Sequence, residues 1–517
     1  MQDARGGEVA PAVGTFCLVL HSHLPWLVHH GRWPVGEEWL YQAWMQSYLP
    51  LTRVLRRLAD GGRRDLLTLG VTPVLAAQLD DPSALAGARA WAADWWLRAQ
   101  QLASRAEPQL RLLAAEEFRA ASRALAELEG PWRAGGSPVL RQLADSGAVE
   151  LLGGPATHPF LPLLDPRVAG LALAAGLDDA RWRLGSAPRG IWTPECGHAP
   201  GLEQVHAAAG VQHLVLDEAT VAAAGRSVHA GWRLGGTDVV AVGRDLAVTD
   251  RIWSSRRGYP TGRAYRDFHA VDQASGVRAY AVTGEGEKRW YASSLAAEAV
   301  ARDAEDFVGA VRSRLLDVAA RDGRPGLVVA AYDTELFGHW WHEGPAFLDR
   351  VLRLLPTAGV RVTTLSRALA GDEHHAPLVA GSADVGPGSW GAGKDFRVWA
   401  GEPVADLRDE AFWVQRRLLD TLDRERGAGR LVERRRDLDQ LLRQALLALG
   451  SDWAFMVTRD SAAAYARTRA AEHQRRFHAL AELVDAGAPA RAAALAEAAR
   501  QAEDDGPFGW LDARALA

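Results

Sequence analysis

A parallel α/β barrel with a helical C-terminal part is the fold predicted for this chain of 517 residues. Three observations lead there. Short apolar, β-branched runs recur through the first three quarters of the chain, amphipathic helical stretches separate several of them, and beyond Pro403 the pattern is almost wholly helical. Strands alternating with helices imply a mainly parallel sheet, because a parallel crossover needs a connection about as long as a helix. Some seven strands over about 370 residues suit a closed or nearly closed barrel better than a small open sheet.

The apolar runs fall at 15–20, 66–71, 149–152, 190–192, 213–216, 327–331 and 360–364. Helical patterns occupy 40–58, 84–128, 168–184, 202–209, 295–321 and 344–355. Residues 217–295 break the rhythm, being rich in Gly, Arg and aromatics. They read as an insertion of loops and a few short strands, the kind of element that covers a site. Within it, the tract 225–234 has Gly225 and Gly231 on either side of His229, which suits a loop that opens and closes. Helical patterns at 404–426, 431–449, 461–485 and 490–504 read as a bundle packed on the barrel. The expected division is 1–400 for the barrel with its insertion and 401–517 for the helices.

Composition narrows the function classes. Hydrophobic residues are 48% and charged residues 24%, an ordinary globular balance. With 59 basic and 64 acidic residues the net charge is −5, so no basic surplus points to nucleic acid and no polybasic run to a membrane. No apolar run approaches the ~20 residues of a membrane span, and the start MQDARGGEVAPAVG lacks the features of a signal peptide. Two cysteines, Cys17 and Cys196, cannot staple a chain of this size, so a reducing cytoplasm is expected. Tryptophan is in excess, 20 against 12 Phe and 8 Tyr. Such an excess suits either cores that happen to use Trp or surfaces that meet flat amphipathic ligands such as sugar rings.

In α/β barrels the groups just past the C-terminal strand ends face the ligand. The first strand runs into His21-Ser22-His23, and alternation places both histidines on one side. They read as core or loop histidines, as hydrogen-bond partners of ligand hydroxyls or, less readily because no clean His/Asp completion lies nearby, as part of a zinc site. The third strand ends in Gly153-Gly154-Pro155-Ala156-Thr157-His158, a close-approach turn. The fourth leads to Glu195 framed by Pro194 and Gly197, the later run 327–331 to Asp333, followed by Trp340 and Trp341. Either carboxylate alone is open to a helix-capping reading. Two carboxyls on separate strands of one barrel are also what glycoside chemistry needs, with a nucleophile and an acid/base about 5–5.5 Å apart in a retaining enzyme.

These residues carry a resemblance. HSHLPW at 21–26, GGPATHP at 153–159, WTPECGH at 192–198, YDTELFGHWW at 332–341 and SWGAGKDFRVW at 389–399 occur in order, with SDWAF at 451–455 in the helical part. The chain resembles glycoside hydrolase family 57, and within it the 1,4-α-glucan branching enzymes. That resemblance implies an incomplete (β/α)7 barrel followed by an α-helical domain. It implies Glu195 as nucleophile and Asp333 as acid/base, and His21, His23 and His158 lining the −1 sugar subsite. Trp33, Trp253, Trp390 and Trp399 become candidates for stacking along an α-glucan. Family members of this type need no metal, cofactor or nucleotide sugar. The implied activity is retaining transglycosylation, which cuts α-1,4 links and forms α-1,6 branches. An α-amylase-type hydrolase, a 4-α-glucanotransferase, an inactive glucan-binding protein and a metal-dependent deacetylase or mannosidase barrel are the alternatives. Branching enzymes of this type carry a tyrosine on a mobile loop near the site. The tract 225–234 is read as its counterpart and has none, so His229 or Trp232 is expected to fill that place.

Overall fold

The computed structural model describes residues 12–105 and 107–516, so the start of the chain read above lies, up to residue 11, outside the described residues. The strands are β1 (Thr15–Ser22), β2 (Leu67–Val71), β3 (Val149–Leu152), β4 (Gly190–Ile191), β5 (His213–Leu216), β6 (Gly231–Leu234), β7 (Val240–Gly243), β8 (Leu327–Asp333), β9 (Arg361–Val362) and β10 (Val379–Ala383). One parallel arc runs β3–β2–β1–β8, and a second runs β4–β5–β7. Two seams join the arcs. Gly153, just past β3, bridges Ile191 of β4, and the Trp192 N–H donates to the Gly153 carbonyl at 2.9 Å. Beyond β7, the Asp245 N–H donates to the carbonyl of Val329 in β8 at 2.7 Å. Seven parallel strands thereby form a closed ring, β1–β2–β3–β4–β5–β7–β8.

One member of that ring differs from expectation. The run at 360–364 forms only the two-residue β9, paired with Thr15 and Phe16 at the foot of β1. The seventh ring strand is instead β7, from inside the segment read as an insertion. Its four residues are all buried, yet the Gly-Gly-Thr-Asp turn before it and the Arg-Asp that follows its last residue, Gly243, hide so short a run. Residues 217–295 are therefore partly barrel wall, and the single-insertion reading is corrected.

Alternation along the strands sorts inside from outside. Cys17, Val19, Val215, Val242, Val329 and Ala331 pack together within the ring. Their neighbours Phe16, Leu18, Leu20, Val328, Ala330 and Tyr332 pack outward with Phe307 and Val311 of the helix Ser293–Asp322. Continuing the inner series by two residues reaches His21 and Asp333, which are register partners across β1 and β8. The strand pleat itself delivers both groups to the barrel mouth.

The stretch 84–128 divides into helices Pro82–Ala103 and Pro108–Glu129, the second starting at a proline that suits a first helical turn. The stretch 40–58 contains a π-helical turn, Trp44–Tyr48, between Glu37–Ala43 and Leu49–Asp60. The C-terminal helices are Ala405–Gly427, Arg436–Ala448, the short Ser451–Thr458, Ala463–Asp485 and Arg491–Asp504. Their residues Val414, Leu418, Leu442, Leu446 and Phe477 share one core with Trp26, Leu27 and Trp44 of the barrel part. Polar contacts reinforce that union: His30 Nε2 lies 2.7 Å from Asp505, and the Trp26 Nε1–H donates to the Asp504 carbonyl at 2.9 Å.

Candidate active site

Glu195 sits on a turn whose backbone is held in the left-handed region, with φ 62° at Glu195 and 50° at Cys196. Each such non-glycine residue costs about 1–3 kcal/mol, so the surroundings must over-determine it. They do. Thr193 Oγ1 donates to the Gly197 carbonyl at 2.9 Å, and the Trp390 N–H donates to the Glu195 carbonyl at 2.8 Å. A Cβ on Gly197 would come within 2.6 Å of the Phe160 ring, so the Pro/Gly frame read from sequence has a steric cause. His158 is also left-handed, at φ 57°.

Two donors hold the Glu195 carboxyl: Trp390 Nε1–H on Oε2 at 2.7 Å and the Ser451 hydroxyl on Oε1 at 2.8 Å. Burial pushes this carboxyl up to about 7, and the two donors pull back toward the anion. Asp333 accepts no hydrogen bond from a described residue. Burial, then the charges of Glu335 and Glu195, keep it well above the carboxylate range, with Arg244 only partly opposing. Both carboxyls are thus raised by burial, and of the two only Glu195 has donors that favour its anion.

The histidines form a stack against Trp192. Ring centroids are 4.6 Å apart for His21–Trp192, 5.0 Å for His21–His158 and 3.8 Å for His23–His158. His23 is tied at both nitrogens, to Thr72 Oγ1 at 3.0 Å and to the Asp452 carboxylate at 3.0 Å. Burial works against a charged His23 ring, but Asp452 overrides it and the ring titrates above its ordinary value. His21 and His158 are held well below theirs, first by burial and then by neighbouring histidines. Both nitrogens of His21 and Nε2 of His158 are buried without a partner among the described residues, as groups awaiting ligand hydroxyls would be.

Asp452 also completes in space the His/Asp set that the sequence lacked nearby. Donor atoms of His23, His158 and Asp452 lie within 4.8 Å of one another, a combination zinc accepts. The geometry fits a metal poorly. The two rings are stacked with planes 25° apart, so their in-plane lone pairs run side by side rather than converging.

Trp253 and Trp390 stack at 6.1 Å and 27°, with Trp253 37% exposed and the Arg244 guanidinium 5.2 Å over Trp390. The helix Leu246–Trp253, leaving β7, brings Trp253 there. Trp33 is 76% exposed on the loop that leaves β1, so its ring is open to a passing chain. Trp399 departs from expectation. It is 3% exposed and stacked on Phe160 at 4.3 Å and 15°, so the ring is packed into the interior rather than laid open along a glucan. It lines a cavity of about 310 Å³ together with Phe160, Phe412, Ser451 and Trp453.

His229 and Trp232 do not reach the site. The Leu327 N–H donates to the His229 carbonyl at 3.0 Å, and Ser227, His229 and Trp232 face Asp322–Gly326, the loop entering β8. Asp333 leaves the other end of that strand, six residues or about 20 Å away at ~3.3 Å per residue. The tract 225–234 is packed at the foot of the barrel because β6 runs antiparallel along β7. The expectation of a lid there is corrected.

The sequence reading missed Ser451, Asp452, Glu335 and Tyr48. Ser451 and Asp452 stand in SDWAF and Glu335 in YDTELF, so the motifs held the signal, but only packing brings a C-terminal helix start onto Glu195.

Two buried carboxyls on separate strand ends, walled by histidines and tryptophans, form an arrangement that glycoside-bond chemistry uses, and it sets the protein among carbohydrate-active barrels. Comparisons with known proteins agree. The family model for glycosyl hydrolase family 57 matches residues 131–377, and that for the 1,4-alpha-glucan branching enzyme C-terminal region matches 412–515. A Mycobacterium tuberculosis protein named "Probable 1,4-alpha-glucan branching enzyme" is 49% identical over 535 residues, covering 98% of this chain and 99% of that protein. The 1,4-alpha-glucan branching enzyme of Thermococcus kodakarensis is 32% identical, covering 91% of this chain and 74% of that one. The crystal structure of a Thermococcus branching enzyme with glucose superposes with TM-score 0.88 at 28% identity, covering 98% and 96% of the two chains. The α-amylase AmyC of Thermotoga maritima superposes with TM-score 0.85 at 25% identity, covering 98% and 99%. The chain belongs to glycoside hydrolase family 57.

Proposed function

We propose that this protein is a 1,4-α-glucan branching enzyme acting by retaining transglycosylation, with Glu195 as nucleophile and Asp333 as acid/base. The observation that carries the reading is the match at 49% identity, over 98% of this chain, to a relative of that name. The site supplies the chemistry. Glu195, whose anion Trp390 and Ser451 favour, attacks the anomeric carbon while Asp333 gives its proton to the departing 4-oxygen. The cut segment stays on Glu195. Asp333, now a base, takes the proton of an acceptor 6-hydroxyl, whose oxygen displaces Glu195 and forms the α-1,6 link with net retention. His21 and His158 offer unpaired nitrogens to the −1 sugar, and Trp253 with Trp390 gives the glucan a stacking surface. Binding the acceptor beside the glycosyl-enzyme gives its hydroxyl an advantage over water.

The partner is an α-glucan. Two buried unpaired cysteines suit a reducing cytoplasm, where a glycogen-type polymer would be the substrate. Among the described residues no helix is long and apolar enough to cross a membrane. The decisive experiment is incubation with amylose, measuring iodine staining, reducing ends and chain lengths after debranching. New α-1,6 links with few reducing ends are expected. Reducing ends without branches would instead make the protein an α-amylase-type hydrolase, and redistributed α-1,4 chains without branches a 4-α-glucanotransferase.

A further inference from the structure

The turn after β8 is pinned by more contacts than its connection of two elements requires. Ser47, in the π-helical turn Trp44–Tyr48, donates to the Thr334 carbonyl at 2.8 Å, and Ser22 donates to Thr334 Oγ1 at 2.7 Å. Gly338, at φ 111°, approaches the Gln46 carbonyl so closely that a Cβ would stand 1.9 Å from it. Between these anchors lies Glu335, a third buried carboxyl in the site. Its Oε1 accepts from the Tyr48 hydroxyl and from the His23 N–H at 3.2 Å. A π-turn exposes groups that a regular helix would direct elsewhere, and such turns cluster at functional sites.

We propose that Glu335 is a positioning residue for the acid step: its carboxylate, fixed by Tyr48 and the His23 N–H two residues beyond Asp333 in the same turn, keeps the proton on Asp333 until the glycosidic oxygen takes it. This rests on the reading of Asp333 as acid/base. In that step the Asp333 proton passes to the leaving oxygen as its C–O bond breaks and the Glu195–carbon bond forms, and Glu335 neither gains nor loses a proton. The other charged groups acting on Asp333 are Glu195 and Arg244, with His21 its neighbour on β1. Burial pushes the Glu335 carboxyl itself up to about 7, against which the Tyr48 hydroxyl and His23 favour its anion.

The test compares Glu335→Gln, Tyr48→Phe and Asp333→Asn by pH–rate profiles on amylose and by the fluoride burst from an α-maltosyl fluoride, whose leaving group needs no acid. Glu335→Gln should move the basic limb on amylose downward by about one pH unit. At pH above the wild-type limb that would lower activity about tenfold, while at lower pH activity should match wild type and the fluoride burst should change far less. Tyr48→Phe, which leaves Glu335 less able to stay charged, should shift the limb the same way and less far. Equal losses at every pH and on both substrates, or an unmoved limb in folded variants, would overturn the proposal. If Glu335→Gln melts below assay temperature, Tyr48→Phe decides by the same limb. Asp333→Asn should lose amylose cleavage and retain the burst. Loss of both alike would reject Asp333 as the acid, a failure distinct from an unmoved limb in the Glu335 variant.

Discussion

The two ends of β8 are both flanked by histidine and tryptophan, and they are built in opposite ways. At the C-terminal end, Glu195 and His158 hold left-handed backbones, and His21 and His158 carry buried nitrogens without partners. At the N-terminal end, His229 Nδ1 lies 3.1 Å from the Leu327 carbonyl, the Trp232 Nε1–H donates to the Ser227 carbonyl at 2.8 Å, and Arg226 covers the Trp232 ring at 5.0 Å. The foot is satisfied within itself, while the mouth leaves polar atoms unpaired and maintains strain. Strain and unmet hydrogen bonds persist where a ligand is to supply what is missing, so they mark function more sharply than residue type does.

The largest expected effects break the mouth. Glu195→Gln should abolish turnover on amylose by several orders of magnitude while leaving melting temperature and glucan binding near wild type, since an amide cannot form the glycosyl-enzyme. Asp333→Asn should cost on the order of 10²–10⁴-fold, because leaving-group protonation and acceptor activation are both lost. Near-wild-type rates in either variant would remove the contrast between the two ends.

Next comes the contribution of the helical domain. Ser451→Ala removes one of two donors to the Glu195 anion, worth about 1.5–3 kcal/mol for a bond to a charged group, or roughly 10–100-fold in kcat/KM. Glu195 must be ionised to react, and its carboxyl is already raised to about 7. Losing a donor raises it further, so the acidic limb of the pH–rate profile should move to higher pH. A limb that stays in place would make Ser451 a packing residue.

Smaller again is the loss of stacking. Trp253→Ala should weaken glucan handling by on the order of 1 kcal/mol, about fivefold in apparent KM, with kcat little changed. Reversal of that split would place Trp253 in the chemistry rather than in binding. The smallest catalytic effect belongs to the foot. Trp232→Ala or a shortened 225–234 tract should leave the ratio of reducing ends to α-1,6 links within about twofold of wild type. Stability should fall by about 1–3 kcal/mol, as buried hydrogen bonds are lost. A changed ratio would mean that the foot communicates with the mouth after all.

Much of this arrangement was readable in the chain, and the exceptions share a cause. Six of the seven ring strands were foreseen, because each is an apolar run between helical stretches. β7 was not, being four residues long between two turns. Glu195 and Asp333 were singled out because a carboxyl follows an apolar run in each case. His229 and Trp232 were misplaced because glycine spacing reports a turn and says nothing about the end of the barrel at which it lies. Trp399 was expected beside Trp390 along the glucan, but the one ring meets Phe160 and the other Glu195.

The sequence by itself determined the strand–helix rhythm, the family motifs and, through the two-residue pleat, that His21 and Asp333 continue the inner faces of β1 and β8. These are local properties, fixed by side-chain period and backbone direction. Only the tertiary structure decided that Ser451 and Asp452, more than 250 residues beyond Glu195 in the chain, close the site, that Glu335 accepts from Tyr48 and the His23 N–H, and that the 225–234 tract lies at the foot. Those outcomes depend on long-range packing: one core joins the helical bundle to the barrel loops, and one antiparallel strand carries a glycine-rich tract away from the chemistry.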